Sequence, residues 1–258
     1  MTGSRRRLRI EDGDILKNGV EGTRINKYLS EAGVCSRREA DRLVEAGEVM
    51  VDGEVAQPGS RVAYGQRVTV RGRYVNPYNN RIVLAFNKPM GIVCTTTDKQ
   101  GHNNIVEYIG YPDRIYPVGR LDKDSEGLIL MTNDGELMDG ILRASNGHEK
   151  EYIVRVDKPI TEAFIADMAG GVYLEELGRQ TLPCVVERVT RFCFRIILTQ
   201  GLNRQIRRMC DAFGYRVLKL KRIRIMNIEL GDLKVGKYRE LTEQELAGID
   251  EMLANGRA

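Results

Sequence analysis

Short apolar runs that read as strands follow one another along this chain without a regular strand–helix–strand rhythm, and that irregular order constrains the fold most. Residues 82–86, 92–95, 129–132, 152–156, 192–198 and 217–228 are extended candidates, with NKPMG at 87–91 as a turn. Helical periodicity falls between only some of them, over 136–143, 161–169 and 204–213. A last helix opens at Thr242, where Glu245 completes a capping box. A doubly wound parallel sheet needs a crossover helix after nearly every strand. The pattern therefore predicts an α+β fold on a mixed, largely antiparallel sheet. Neither GxGxxG nor GxxxxGK[ST] occurs, which argues against a nucleotide cofactor, and no internal repeat is present.

A smaller pattern precedes this region. Residues 1–22 are polar and aperiodic and carry Arg5, Arg6, Arg7 and Arg9, so they predict a flexible basic tail. From Thr23 onward, Ile25, Leu29 and Ala32 share one helical face that Gly33 ends. Ser36 and Glu39 make a capping box for a second helix carrying Ala40, Leu43 and Val44, closed by Gly47. Residues 49–56 form a hairpin about Asp52-Gly53, and 61–70 reads as one further strand. Residues 71–80 are polar and read as a linker. The 258 residues thus divide into a tail (1–22), a small module (23–75) and a larger domain (76–258).

Composition narrows the chemistry. A 42% hydrophobic fraction with 29% charged residues and seven prolines describes a folded chain. No stretch approaches the roughly 20 apolar residues of a membrane span, and the N-terminus lacks a signal-peptide core. The expectation is a cytoplasmic protein with no membrane partner. Cys35, Cys94, Cys184, Cys193 and Cys210 are odd in number and form no CxxC pair, so neither a disulfide framework nor a metal site is expected. His102 and His148 lie far apart, which leaves carboxylate, Tyr, Lys or Arg to carry any catalysis. The net charge is only +4, but its cations are clumped. Residues 201–226 hold Arg204, Arg207, Arg208, Arg216, Lys219, Lys221, Arg222 and Arg224 against Asp211 alone. A solvated face is the ordinary reading of such a run. Here Leu202, Ile206, Met209, Cys210 and Phe213 interleave it at helical spacing, with Asn203 as N-cap and Gly214 as stop. That predicts a helix burying one face and presenting Arg204, Arg207 and Arg208.

Three blocks stand out. Residues 119–128 (GRLDKDSEGL) set Asp122 behind Arg120 and before an apolar run; alone, Asp122 reads equally as a turn-forming aspartate. Residues 201–210 (GLNRQIRRMC) supply cations, and residues 148–154 (HEKEYIV) supply Tyr152. Together they resemble the motif set of pseudouridine synthases of the RsuA/RluB/E/F family, and 24–56 resembles an S4 RNA-binding module. The resemblance runs from Thr23 to about Tyr238.

It implies a cofactor-independent isomerisation of uridine in RNA, with Asp122 acting either as nucleophile at C1′ or as base at C2′. It further implies Arg207 as the cation holding Asp122 ionised, with Arg204 as substitute. Tyr152 would stack on the uracil with its hydroxyl near C5, Leu220 would pack the other side, and Arg120 would fill the gap left by the flipped nucleotide. Arg204 and Arg208 would bind substrate, and Arg24, Lys27, Arg37, Arg38 and Arg42 would offer cations to folded RNA. Each has a structural counterpart: a core aromatic for Tyr152, a phosphate ligand for Arg207, a loop brace for Arg120. The blocks look most like the family member that modifies 23S rRNA, acting as a monomer. A synthase for another rRNA site or a tRNA, and a non-catalytic RNA-binding or ribosome-assembly protein, are the alternatives.

Overall fold

The computed structural model describes residues 22–63, 65–75, 81–95, 104–143 and 147–255; the expected basic tail lies, but for Gly22, outside them. The chain divides into two compact units, Met1–Asn79 and Asn80–Ala258.

In the first unit, β1 (Thr23–Arg24) leads into α1 (Ile25–Glu31), which buries Ile25, Tyr28 and Leu29. Gly33 takes the left-handed conformation (φ 74°) that stops this helix. In α2 (Arg37–Glu45) the Ser36 hydroxyl accepts from the Glu39 amide, and Ala40, Leu43 and Val44 are buried. Only half the capping box forms, because the Glu39 carboxylate accepts from Arg42 at 3.0 Å. Then β2 (Val49–Val51) and β3 (Glu54–Val55) make the hairpin, with Asp52 and Gly53 both at positive φ as a type I′ turn requires.

Two expectations fail in this unit. Residues 61–70 are not one strand but β4 (Arg61–Val62), which pairs β1, and β5 (Val68–Val70), which pairs β2. A turn separates them, closed by the Gln66 side chain accepting from the Ala63 amide. The supposed linker contains β6 (Arg73–Val75), which pairs β5 and buries Val75.

The second unit comprises β7 (Val83–Lys88), α3 (Ile105–Ile109), β8 (Tyr116–Pro117), β9 (Glu126–Thr132), α4 (Gly135–Leu142), β10 (Lys150–Val156), α5 (Glu162–Ala169), β11 (Tyr173–Leu174), β12 (Arg179–Gln180), β13 (Val185–Thr190), β14 (Cys193–Leu198), α6 (Gln205–Ala212), β15 (Val217–Ile225), β16 (Ile228–Glu229), β17 (Tyr238–Glu240) and α7 (Glu243–Asn255). One nine-stranded sheet runs β13-β14-β10-β15-β9-β7-β17, with β16 on β15 and β8 on β9. Every pairing is antiparallel except β15 with β9, so the sheet is mixed and largely antiparallel, as predicted. Both faces are covered. Val83, Ala85, Leu128 and Leu130 pack with α4 and α7, while Leu84, Phe86, Ile129, Tyr152, Val154 and Leu220 face the other way with α5 and α6. Burying each large side chain contributes roughly 1.5–3 kcal/mol. Residues 92–95 form no strand, only a bridge from Val93 to Asn104, and Asn87 and Lys88 belong to β7 rather than to the turn.

The parallel β9–β15 contact joins the two halves of the sheet, and it depends on Gly127. That residue sits at φ 106°, and a Cβ there would lie 2.2 Å from the Arg222 carbonyl oxygen. Any side chain would push the strands apart.

At α6 the cap differs from expectation. Arg204, not Asn203, occupies the N-cap, in the left-handed conformation (φ 51°, ψ 33°) and without a side-chain cap. The buried Gln205 side chain accepts from the Leu202 amide instead, at 3.0 Å, so Leu202 precedes the helix and Phe213 ends it. At α7 the box is complete: the Thr242 amide donates to Glu245 (2.8 Å) and the Glu245 amide to the Thr242 hydroxyl (3.2 Å).

Candidate active site

The loop between β8 and β9 carries Arg120, Asp122, Asp124 and Ser125. It is pinned from the segment after β7: the Leu121 carbonyl accepts from the Cys94 thiol at 3.2 Å, and the Gly91 amide donates to the Lys123 carbonyl at 2.7 Å. Behind it lies Lys88, fully buried, whose Nζ donates to the Pro89 and Ile92 carbonyls at 2.8 and 2.9 Å. Burial pushes the Lys88 ammonium below its usual range; Cys94 opposes that, Arg222 adds to it, and Asp122 and Asp124 oppose it.

Asp122 is partly exposed; its carbonyl accepts from the Ser125 amide at 3.0 Å, while its carboxylate accepts no hydrogen bond from another described residue. Its nearest cation is Arg204, at 3.9 Å. The expected Arg207–Asp122 ion pair is not formed. Arg207 instead donates to the Asp124 carbonyl (2.8 Å), the Ser125 hydroxyl (3.3 Å) and the Val217 carbonyl (3.2 Å), with its Nε 3.4 Å from the Asp124 carboxylate. The physical reason is the left-handed Arg204. It turns that guanidinium across to the loop, where it donates to both Asp124 oxygens at 3.2 Å, and Arg207 is left to brace the loop backbone. Asp124 is thus the hub that sequence reasoning gave no chemical part. Burial alone would raise its carboxyl, but the Arg204 hydrogen bonds and the charges of Arg207 and Arg204 outweigh this and hold it below the usual range.

Tyr152 on β10 and Leu220 on β15 are buried on the sheet face that also carries Leu121. The Tyr152 hydroxyl makes no hydrogen bond to a described residue. Directly opposite Tyr152 in the β10–β15 register is Arg222, whose guanidinium carbon lies 5.9 Å from the Tyr152 ring centre. The structure therefore gathers Asp122, Arg204, Arg207, Tyr152 and Leu220 around elements joined by the β9–β15 contact. Arg120 is exposed beside them. Arg208 is engaged elsewhere, pairing with Glu176 and donating to the Asn203 carbonyl.

In the first unit Arg24, Arg37, Arg38 and Arg42 are exposed, Arg42 pairing with Glu39 and the half-buried Lys27 with Glu31. Among the described residues no group of three or more His, Cys, Asp or Glu is placed to hold a metal, and no helix is long and apolar enough to cross a membrane.

This arrangement sets a carboxylate flanked by a guanidinium on the loop before β9, with an aromatic and an aliphatic side chain, Tyr152 and Leu220, buried on the sheet face that also carries Leu121. Known proteins resemble this chain along most of its length. The family model described as RNA pseudouridylate synthase matches residues 82–212, and the S4 domain model matches 23–68. The dual-specificity RNA pseudouridine synthase RluF of Salmonella typhi is 52% identical over 90% of this chain and 80% of its own length. The ribosomal large subunit pseudouridine synthase B of Bacillus subtilis is 31% identical over 91% and 98%. A crystal structure of a pseudouridylate synthase superposes with a TM-score of 0.65 at 27% identity, covering 88% of this chain and 99% of that one.

Proposed function

The chain belongs to the RNA pseudouridylate synthase family, and from that premise we propose that it isomerises a uridine of 23S rRNA, as a cytoplasmic monomer, with Asp122 as the reacting carboxylate. The observation that carries the assignment is the position of Asp122. Of the loop's two acids, Asp124 is spent on Arg204 and Arg207, whereas the Asp122 carboxylate accepts no hydrogen bond from another described residue and faces Arg204 at 3.9 Å. An anion so placed can add to C1′ or take a proton from C2′ of a flipped nucleotide. Tyr152 then stacks on the released uracil and stands ready for the C5 proton, with Leu220 beneath. Arg204 is the cation that faces Asp122, and Arg207 holds the loop that carries it. Arg120 enters the RNA stack as the nucleotide leaves it.

The similarity to a large-subunit synthase supports rRNA as substrate, and the printed dual specificity of the RluF relatives makes a tRNA a second RNA to test. The basic face of the first unit supplies phosphate contacts. Pseudouridine mapping in rRNA and tRNA from cells with and without the gene tests the proposal. One 23S position should lose pseudouridine in the deletion and regain it with the gene restored; unchanged maps would refute it.

A further inference from the structure

Arg222 is a buried cation of this site that no carboxylate among the described residues pairs with. It is 4% exposed, donates once, from Nε to the Leu128 carbonyl at 2.6 Å, and leaves Nη2 buried without a partner. Two basic residues of the same strand are spent: Lys219 pairs with Glu126, and Arg224 with Glu149 and Glu151. A β-bulge makes the difference. Glu151 pairs with Arg224 but Tyr152 with Arg222, so Ile223 is the extra residue. The two arginines therefore follow Glu151 and Tyr152 to opposite faces of the sheet. Arg224 reaches the acidic face, and Arg222 is turned inward beside Tyr152 and Leu220.

An unpaired buried guanidinium is costly to hold, and here it stands near two further cations. Its charge adds to burial in pushing the Lys88 ammonium down, and likewise that of the half-buried Lys150. Lys88 has already committed two of its three donors to carbonyls. A free donor in an electropositive wall suits an electron-rich acceptor, and the ring that Tyr152 would hold has two carbonyl oxygens.

We propose that Arg222 is a further catalytic residue, donating a hydrogen bond to a carbonyl oxygen of the uracil and stabilising the negative charge that the base carries once its bond to the sugar breaks. The proposal deepens the function given above and rests on it. Whether an Asp122 oxygen bonds C1′ or Asp122 takes the C2′ proton, the C1′–N1 electron pair departs with the base and spreads over N1, O2 and O4. After rotation, C5 gives a pair to C1′, the C5 proton leaves, N1 gains a proton, and Asp122 releases C1′ or returns the C2′ proton. Arg222 acts during the interval when the base is anionic, and fixed donors at developing charge are among the largest catalytic effects.

The test uses the full chain, Arg222→Met and Arg222→Lys, and RNAs carrying uridine, 2-thiouridine or 4-thiouridine at the target position. Sulfur is the weaker acceptor, so one thio substitution should slow the wild type about tenfold or more in single turnover. Arg222→Met should bind RNA as the wild type does and melt no lower, since a buried unpaired charge has been removed. It should react about 10²–10³-fold more slowly on uridine, with no further loss from that thio substitution. Equal thio sensitivity in wild type and Arg222→Met would overturn the proposal while leaving the synthase reading intact, as would a rate within threefold of wild type. If Arg222→Met does not fold, Arg222→Lys carries the same comparison; if neither folds, Arg222 is structural and the proposal fails. Failure of the wild type to convert uridine in any RNA would sink the underlying reading, and this inference with it.

Discussion

Gly127→Ala should destabilise the second unit and disable the site together, because one backbone contact serves both. The new Cβ would fall 2.2 Å from the Arg222 carbonyl oxygen and 2.8 Å from its nitrogen, at a φ of 106°. An L-residue at such a dihedral costs about 1–2 kcal/mol. Clearing 3.0 Å requires the strands to part by most of an ångström, which breaks the Lys221–Glu126 and Arg222–Gly127 register, at about 1 kcal/mol per ladder hydrogen bond. A total of about 3 kcal/mol corresponds to a fall in Tm of about 6–12 °C for a unit of this size. The same parting carries the Asp122 loop away from Tyr152 and Arg222, so turnover should fall more than folding does. Thermal unfolding by circular dichroism and single-turnover pseudouridine formation read the two effects. A Tm within about 2 °C of wild type together with unimpaired turnover would refute the role given to this contact.

Arg120→Ala should slow conversion of a stacked target uridine more than of an unpaired one, since flipping costs a few kcal/mol in a duplex and less in a single strand; equal losses in the two RNAs would make Arg120 a loop brace. Arg38→Ala with Arg42→Ala should lower the slope of log K against log salt for RNA binding by about one to two units, with the rate at saturating RNA preserved; an unchanged slope would remove these residues from the interface. His148 is buried with Nε2 unpartnered, and burial, then the Lys150 charge, hold its imidazolium below the usual range against a bond to the Gly140 backbone. A depressed base favours the neutral form, so stability is full above the ordinary pKa of about 6.5 and is lost as pH falls below it. Between pH 7 and pH 5 the wild-type Tm should drop, and His148→Asn should drop less; parallel curves would contradict this.

Local signals carried the elements whose ends are made locally. Ser36, Gly47 and the Thr242–Glu245 box lie where spacing put them, because a cap needs only its own turn. The edge strand β13 was missed because VVERVT is mostly exposed and shows no clean two-residue alternation. In the site, the resemblance to a family pointed to Asp122, Tyr152 and Leu220, while the partners of the cations depended on backbone shape. Nothing in GLNRQIRRMC announces that Arg204 turns left-handed and takes Asp124, which displaces Arg207 from the part expected of it. Nor does LKLKRIRI distinguish Arg222 from Arg224. A bulge fixed by pairing with β10 sends one inward and the other to Glu151, while in sequence both belong to one basic stripe.

The central claim is that Asp122 reacts with the nucleotide while Asp124 holds the arginines, and Asp122→Asn tests it most directly. The substitution keeps size and turn-forming capacity while removing the charge, the backbone bond from Ser125 to the Asp122 carbonyl is retained, and the carboxylate accepts from no described residue, so folding and RNA binding should be unchanged. Tritium release from RNA labelled at uracil C5 should fall below detection for Asp122→Asn. Asp124→Asn, which loosens Arg204 and Arg207 without removing the reacting carboxylate, should retain measurable release. Release by Asp122→Asn at close to the wild-type rate would contradict the account.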